Sequence, residues 1–170
     1  MRTAMLDDAF SHHVWATRRL IGACAELSPK QLETSVPGTY GSIVETLRHL
    51  VDTDAWYAYR LNGEPSRFLS AEAFGFSELH AAMEGAATAW SRVLATDPDP
   101  GALVVGIADD GTEVYWPTSI RVAQALHHGT DHRSQICTAL TTIGVVPPAI
   151  DVWDFAEQDG RLATVPSPAP

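Results

Sequence analysis

Basic residues are scarce in this chain of 170 residues. It contains 11 Lys and Arg residues against 21 Asp and Glu residues, which gives a formal net charge of -10 at pH 7. Binding to nucleic acid or to an anionic membrane surface requires a positively charged face. The charge balance therefore argues against both kinds of partner. The partner that we expect is a small-molecule substrate.

The chain also lacks a disulfide framework and long apolar runs. Its two cysteines, Cys24 and Cys137, form no CxxC motif, and they are too few and too far apart for the disulfide framework of a small secreted protein. No stretch approaches the ~20 apolar residues that span a bilayer, and the N-terminal residues do not resemble a secretory signal. We expect a cytoplasmic protein with two buried thiols in a reducing compartment.

Several common catalytic motifs are missing as well. No glycine-rich phosphate loop, dinucleotide-binding glycine motif or nucleophile elbow occurs, so nucleotide chemistry and serine-hydrolase chemistry have no support. The hydrophobic fraction of 45% and the charged fraction of 19% are ordinary for a globular protein. We predict a single domain over residues 1–163 and a flexible tail over residues 164–170 (TVPSPAP), where the prolines disfavour regular structure.

Helix-start and helix-stop signals divide the domain into four long helices. Ser42 and Glu45 form a capping box at one helix start, and Ser77 is the predicted N-cap of another. An Asp-Gly turn between β-branched and aromatic residues predicts a β-hairpin. The predicted long helices cover residues 6–26, 42–62, 77–95 and 117–142, the strands cover 103–107 and 113–116, and a short last helix covers 150–157. This pattern predicts an all-α four-helix bundle with a small β-hairpin before the last long helix.

Three of the seven histidines are candidate metal ligands. His128 and His132 are four residues apart, on one face of the fourth long helix at the edge of an apolar arc that includes Val122 and Leu126. His49 lies at the edge of the apolar arc of the second long helix. If these helices adjoin, the three imidazoles converge and leave a coordination position open for water or substrate, as in catalytic sites. The alternative is three ordinary, partly exposed helix histidines.

Three segments, taken together and in order, resemble the DinB/YfiT-like superfamily of helical-bundle proteins. They are residues 13–20 (HVWATRRL), 41–50 (GSIVETLRHL) and 128–136 (HGTDHRSQI). The resemblance implies a homodimeric four-helix bundle with a divalent metal held by the positions of His49, His128 and His132. Asp131 departs from the family pattern, which often has a second histidine at that position.

The resemblance also implies a range of functions. Characterised relatives include transferases and isomerases that use a low-molecular-weight thiol such as mycothiol, bacillithiol or glutathione. The first hypothesis is therefore a metal-dependent enzyme of this kind, with Zn, Ni or Fe as the metal. Two alternatives stay open: a non-catalytic metal- or small-molecule-binding stress-response dimer, and a hydrolase that uses a metal-activated water. Asp52 and Asp131 are candidate general bases.

Four other residues each have two interpretations. Gly129 inside a helix costs about 1 kcal/mol relative to Ala, which indicates a close approach by another helix or, alternatively, room for a ligand. Arg133 projects into the apolar arc and predicts a structural ion pair with a carboxylate, or else binding of a substrate carboxylate. His13 and Trp56 are interpreted as packing residues, with the border of a substrate site as the alternative.

Overall fold

The computed structural model of the protein describes residues 2–63, 75–108 and 110–162, with the backbone alone for residues 2–4. The long helices are α1 (Arg2–Ala25), α3 (Ile43–Leu61), α4 (Phe76–Ala95) and α5 (Thr118–Thr142). The shorter elements are α2 (Pro29–Leu32), β1 (Leu103–Ile107), β2 (Glu113–Pro117) and α6 (Val152–Gln158). The predicted tail lies outside the described residues. The sequence also predicts a loop from Glu64 to Gly75, of which residues 64–74 lie outside them.

The four long helices form a bundle in which each helix packs against two neighbours. α1 lies against α4 and α5, and α3 lies against the same two helices. Their apolar faces meet in a core that includes the fully buried side chains of Leu20, Leu47, Met83 and Leu140, one from each helix. Burial of these faces is the main driving force for assembly. The predicted four-helix bundle is confirmed. No helix in the described part of the chain is long and apolar enough to cross a membrane.

The helix boundaries follow the predicted capping chemistry with one exception. Ser42 is the N-cap of α3, and its backbone N–H donates to a carboxylate oxygen of Glu45 at 2.8 Å, which completes the capping box. The predicted cap at Ser77 is wrong. Helix α4 begins at Phe76, with Gly75 as an N-cap that makes no side-chain hydrogen bond. Phe76 packs against the core, which draws it into the first turn.

The β-hairpin immediately precedes α5, as predicted. Its strands are antiparallel, with Val104 opposite Trp116. Arg60, near the end of α3, donates from Nη2 to the carbonyl oxygen of Val105 at 2.9 Å. The first residue of α5 donates to the carbonyl just before β1 at 2.8 Å. The hairpin is therefore fixed both to α3 and to the start of α5.

Helix α5 buries a more polar face than predicted. The expected apolar arc placed Val122 and Leu126 in the core, but both are only half-buried. The buried positions of α5 instead include Arg121, His132 and Arg133. Polar side chains are buried only where other groups compensate for the lost water. The partners of these three side chains therefore define the functionally interesting part of the molecule.

Candidate metal centre

The three predicted histidines come together at the seam between α3 and α5. One ring nitrogen each of His49, His128 and His132 lies within 4.8 Å of the other two, and we call this group the histidine cluster. Nε2 of His49 and Nε2 of His128 are 3.1 Å apart. Tetrahedral coordination with metal–nitrogen bonds of about 2.0–2.1 Å separates ligand atoms by roughly 3.4 Å. The three imidazoles could therefore hold one ion.

The surroundings of the histidine cluster favour neutral imidazoles. Burial, followed by the effect of His132, lowers the pKa of His49, while Asp52 opposes the change. Burial, followed by the effects of His132 and His49, lowers the pKa of His128 to about 4. Both rings are therefore neutral at pH 7. A neutral imidazole is the form that offers a lone pair to a metal.

Polar neighbours orient two of the rings. Oε1 of Gln135 lies 3.1 Å from Nδ1 of His132 and accepts a second hydrogen bond from the backbone N–H of Tyr40 at 2.9 Å. A carbonyl oxygen can only accept, so Nδ1–H of His132 donates and Nε2 keeps its lone pair. The hydroxyl of Thr53 lies 3.4 Å from Nδ1 of His49 and contacts that ring as Gln135 contacts the ring of His132.

Two tyrosines flank the histidine cluster. The ring of Tyr40 stacks on His49 with centroids 4.0 Å apart and planes 9° apart, although Tyr40 itself is 58% exposed. The ring of Tyr57 meets that of His128 edge-on at 5.9 Å. Sequence reasoning missed both residues. Tyr40 belongs to a loop without periodicity, whereas the position of Tyr57 eight residues after His49, on the same helix face, was a usable signal.

The other candidate residues from the sequence differ in their surroundings and in their contact with the histidine cluster. Asp52 acts electrostatically on His49, whereas Asp131 is exposed. Trp56 lines a cavity with Arg121, and its ring contacts that of Tyr57. Asp52 is therefore the better placed of the two candidate bases.

His13 and Arg133 belong to a second polar group, which we call the buried network: Arg133, His13, Asp54 and Trp90. Nη1 of Arg133 lies 3.0 Å from Nδ1 of His13, and Nε2 of His13 lies 2.9 Å from Oδ1 of Asp54. Trp90 Nε1–H donates to the same oxygen at 3.1 Å. A guanidinium can only donate, so Nδ1 of His13 accepts and its Nε2–H donates to Asp54.

The buried network corrects the prediction for Arg133. Among the described residues Arg133 pairs with no carboxylate directly, because the imidazole of His13 lies between it and Asp54. Sequence reasoning missed Asp54, although an acid between Val51 and Ala55 in the apolar arc of α3 was a visible signal.

Gly129 makes room for the buried network. A Cβ at this position would lie 2.6 Å from Nδ1 of His13 and 3.0 Å from Nη1 of Arg133. Contacts of 2.6 Å are shorter than van der Waals separations allow. The predicted close approach is confirmed, and the approaching group is a side chain of α1.

Nearly the whole chain is similar to a known protein family. The sequence model of the DinB family matches residues 1–163. No curated protein matches the sequence significantly. The match agrees with the helical bundle and the hairpin described above, and it assigns neither a reaction nor a substrate.

Proposed function

Because the chain belongs to the DinB family, we propose that it is a metal-dependent enzyme whose divalent ion is held by His49, His128 and His132. The supporting observation is the convergence of the three ring nitrogens within 4.8 Å at one helix seam. Imidazole ligands suit Zn, Ni and Fe. Such an ion, when bound, supplies Lewis-acid chemistry and lowers the pKa of a coordinated thiol or water.

The proposed reaction is a transfer or isomerisation that uses a low-molecular-weight thiol of the mycothiol or bacillithiol type. The protein's own thiols are poor nucleophiles. Burial raises the pKa of Cys24 to about 12, and burial raises that of Cys137 as well, with Arg133 opposing. The thiolate is the reactive form of cysteine. A thiol-dependent reaction at the histidine cluster would therefore draw its thiol from solution.

The side chains around the histidine cluster have supporting roles in this proposal. Gln135 holds the ring of His132 in its orientation. Tyr40 stacks on one face of His49 and would limit the access of water to that face. Asp52, which acts electrostatically on His49, is the candidate proton acceptor.

Metal content is the first test of the proposal. Protein without a histidine tag is incubated with Zn, Ni or Fe(II), desalted and analysed for metal, beside the His128→Ala/His132→Ala variant. We expect about one ion per chain in the parent and none in the variant, because one remaining imidazole binds too weakly. The His80→Ala/His127→Ala variant removes two histidines outside the histidine cluster and is the matched control. Negligible metal in the parent would overturn the metal site.

Turnover is the second test. Metal-loaded protein is assayed for conjugation of chlorodinitrobenzene with mycothiol, bacillithiol and glutathione, and the assay is repeated after chelation. We expect thiol consumption that depends on the metal and is lost in the His128→Ala/His132→Ala variant. A metal-loaded protein with no metal-dependent turnover of any thiol would contradict the transferase proposal and favour a binding protein.

A further inference from the structure

The guanidinium of Arg121 is a buried cation, and two of its three nitrogens have no hydrogen-bond acceptor in the described part of the chain. Arg121 is 4% exposed, and its Nε and Nη1 are both buried and unpaired. Aromatic rings surround it instead. Its Cζ lies 4.5 Å from the ring centroid of Trp56 and 4.9 Å from that of Trp116. Cation–π contacts offset part of the cost of burying the charge, but they leave the N–H groups unsatisfied.

Arg121 lines a cavity of about 310 Å³ between α3, β2 and α5. Its walls are fixed to one another. The ring of Trp116 lies over Gly106 of the paired strand. A Cβ at Gly106 would lie 2.8 Å from Cη2 of the indole. The hydrogen bond from Arg60 to Val105 ties the hairpin to α3. The cavity is thus a built feature of the fold, with an unpaired arginine in its wall.

We infer that this cavity binds the carboxylate of a small molecule and that the guanidinium of Arg121 donates to it. A planar guanidinium matches a carboxylate through two parallel N–H···O bonds. Arg121 is the charged residue that lines this cavity, and the charge of the nearby Arg60 acts on it, so an anion is favoured here in a chain whose net charge is -10. The volume lies at the lower end of the range for ligand sites, which fits a compact acidic group beside apolar rings.

The cavity adjoins the histidine cluster through Tyr57. The Tyr57 ring centroid lies 5.7 Å from Cζ of Arg121 and 5.9 Å from the ring centroid of His128. Arg121 and His128 are separated by two turns of α5, about 10 Å along the axis. In one respect the inference rests on the proposed function: the bound acid would belong to the thiol or substrate whose reacting end reaches the histidines.

Binding of phenylacetate to metal-free protein tests the cavity without the metal. The chelator-treated full-length chain is titrated with phenylacetate and with its uncharged isostere phenylacetamide, by calorimetry and by tryptophan fluorescence, since Trp56 and Trp116 flank Arg121. We expect saturable binding of the acid, about tenfold tighter than that of the amide, because hydrogen bonds to charged groups are the stronger ones. No saturable binding of the acid, or equal affinity for the two probes, would overturn the inference.

Variants assign the binding to Arg121. Arg121→Gln is expected to remove the preference for the acid. Arg18→Gln removes an exposed arginine that pairs with Glu84, and it is expected to keep the preference. Ile120 lines the cavity and is 55% exposed, so a polar side chain at this position is not expected to prevent folding. Ile120→Glu is expected to weaken binding of the acid about tenfold relative to Ile120→Gln. Equal affinities in these two variants would contradict the assignment.

These experiments distinguish a failure of the cavity assignment from a failure of the proposed function. A chain that binds phenylacetate but takes up no metal would contradict the proposed function and leave the cavity assignment intact. A chain that takes up one metal ion but does not distinguish phenylacetate from phenylacetamide would contradict the cavity assignment alone.

Discussion

Two groups of histidines lie in one bundle and differ in how their ring nitrogens are satisfied. In the buried network, His13 is 1% exposed and uses both nitrogens within the protein, one toward Asp54 and one toward Arg133. In the histidine cluster, Nε2 of His49 lies 3.1 Å from Nε2 of His128, and the group of converging ligand atoms found in the described part of the chain consists of imidazoles alone. A histidine with a partner on each side is a structural group, whereas converging lone pairs indicate a ligand site.

The two groups also differ in the helices that they connect. The buried network takes one side chain from each long helix, with His13 on α1, Asp54 on α3, Trp90 on α4 and Arg133 on α5. The histidine cluster involves α3 and α5 alone. We therefore expect the buried network to stabilise the bundle, and substitutions in the histidine cluster to leave the fold intact.

The largest expected effect comes from breaking the buried network. Asp54→Ala removes the carboxylate that accepts from His13 and Trp90 and that compensates the charge of Arg133 across the His13 ring. We expect a loss of about 3–5 kcal/mol in the free energy of unfolding. Urea denaturation of metal-free protein measures this loss. His49→Ala in the histidine cluster is expected to change the same quantity by less than about 1 kcal/mol. Similar losses in the two variants would remove the distinction between the groups.

A smaller effect is expected from crowding the buried network. Gly129→Ala places a methyl group against the ring of His13, and we expect it to lower the free energy of unfolding by about 1–3 kcal/mol. Gly22→Ala is the matched control, because a Cβ at Gly22 in α1 meets nothing within 4 Å. It is expected to stabilise the protein by about 0.5–1 kcal/mol through helix propensity. A Gly129→Ala protein as stable as the parent would contradict the packing described here.

The smallest effect on stability, and a selective effect on metal, is expected at Gln135. Gln135→Leu frees the ring of His132, and we expect metal affinity to fall about 10- to 100-fold while metal-free stability stays within about 0.5 kcal/mol. Competition with a chromogenic chelator measures the affinity. Gln124→Leu makes the same substitution on the same helix away from the histidine cluster and should retain the parent affinity. Equal affinities in the two variants would mean that Gln135 does not orient the ligand.

Most of the fold could be predicted because its signals are local. The Ser42 capping box, the Asp-Gly turn and the apolar arc of α3 each depend on residues a few positions apart. The start of α4 was mispredicted because Ser77 is a good cap in isolation, whereas Phe76 packs against the core. The predicted homodimer concerns a second chain and stays a prediction.

The candidate site was predicted only in part, because several of its contacts join residues that are far apart in the sequence. Spacing relates His128 to His132, but the stacking of Tyr40 on His49 depends on how a loop folds over two helices. The environment of Arg121 depends on a hairpin that meets α3 and α5 only in three dimensions. Interactions between distant elements have no period that a single sequence displays.

The three residues of the histidine cluster, which are the proposed metal ligands, leave the ribosome far apart in time. His49 precedes His128 by 79 positions, which at about 5–20 residues per second corresponds to roughly 4–16 s of synthesis. During that interval the nascent chain offers a single imidazole from the future site, because α5, which carries the other two, has not yet been completed. Metal uptake would then follow the docking of α5 on α3, so the metal available to the finished protein, rather than to the growing chain, would decide which ion is acquired.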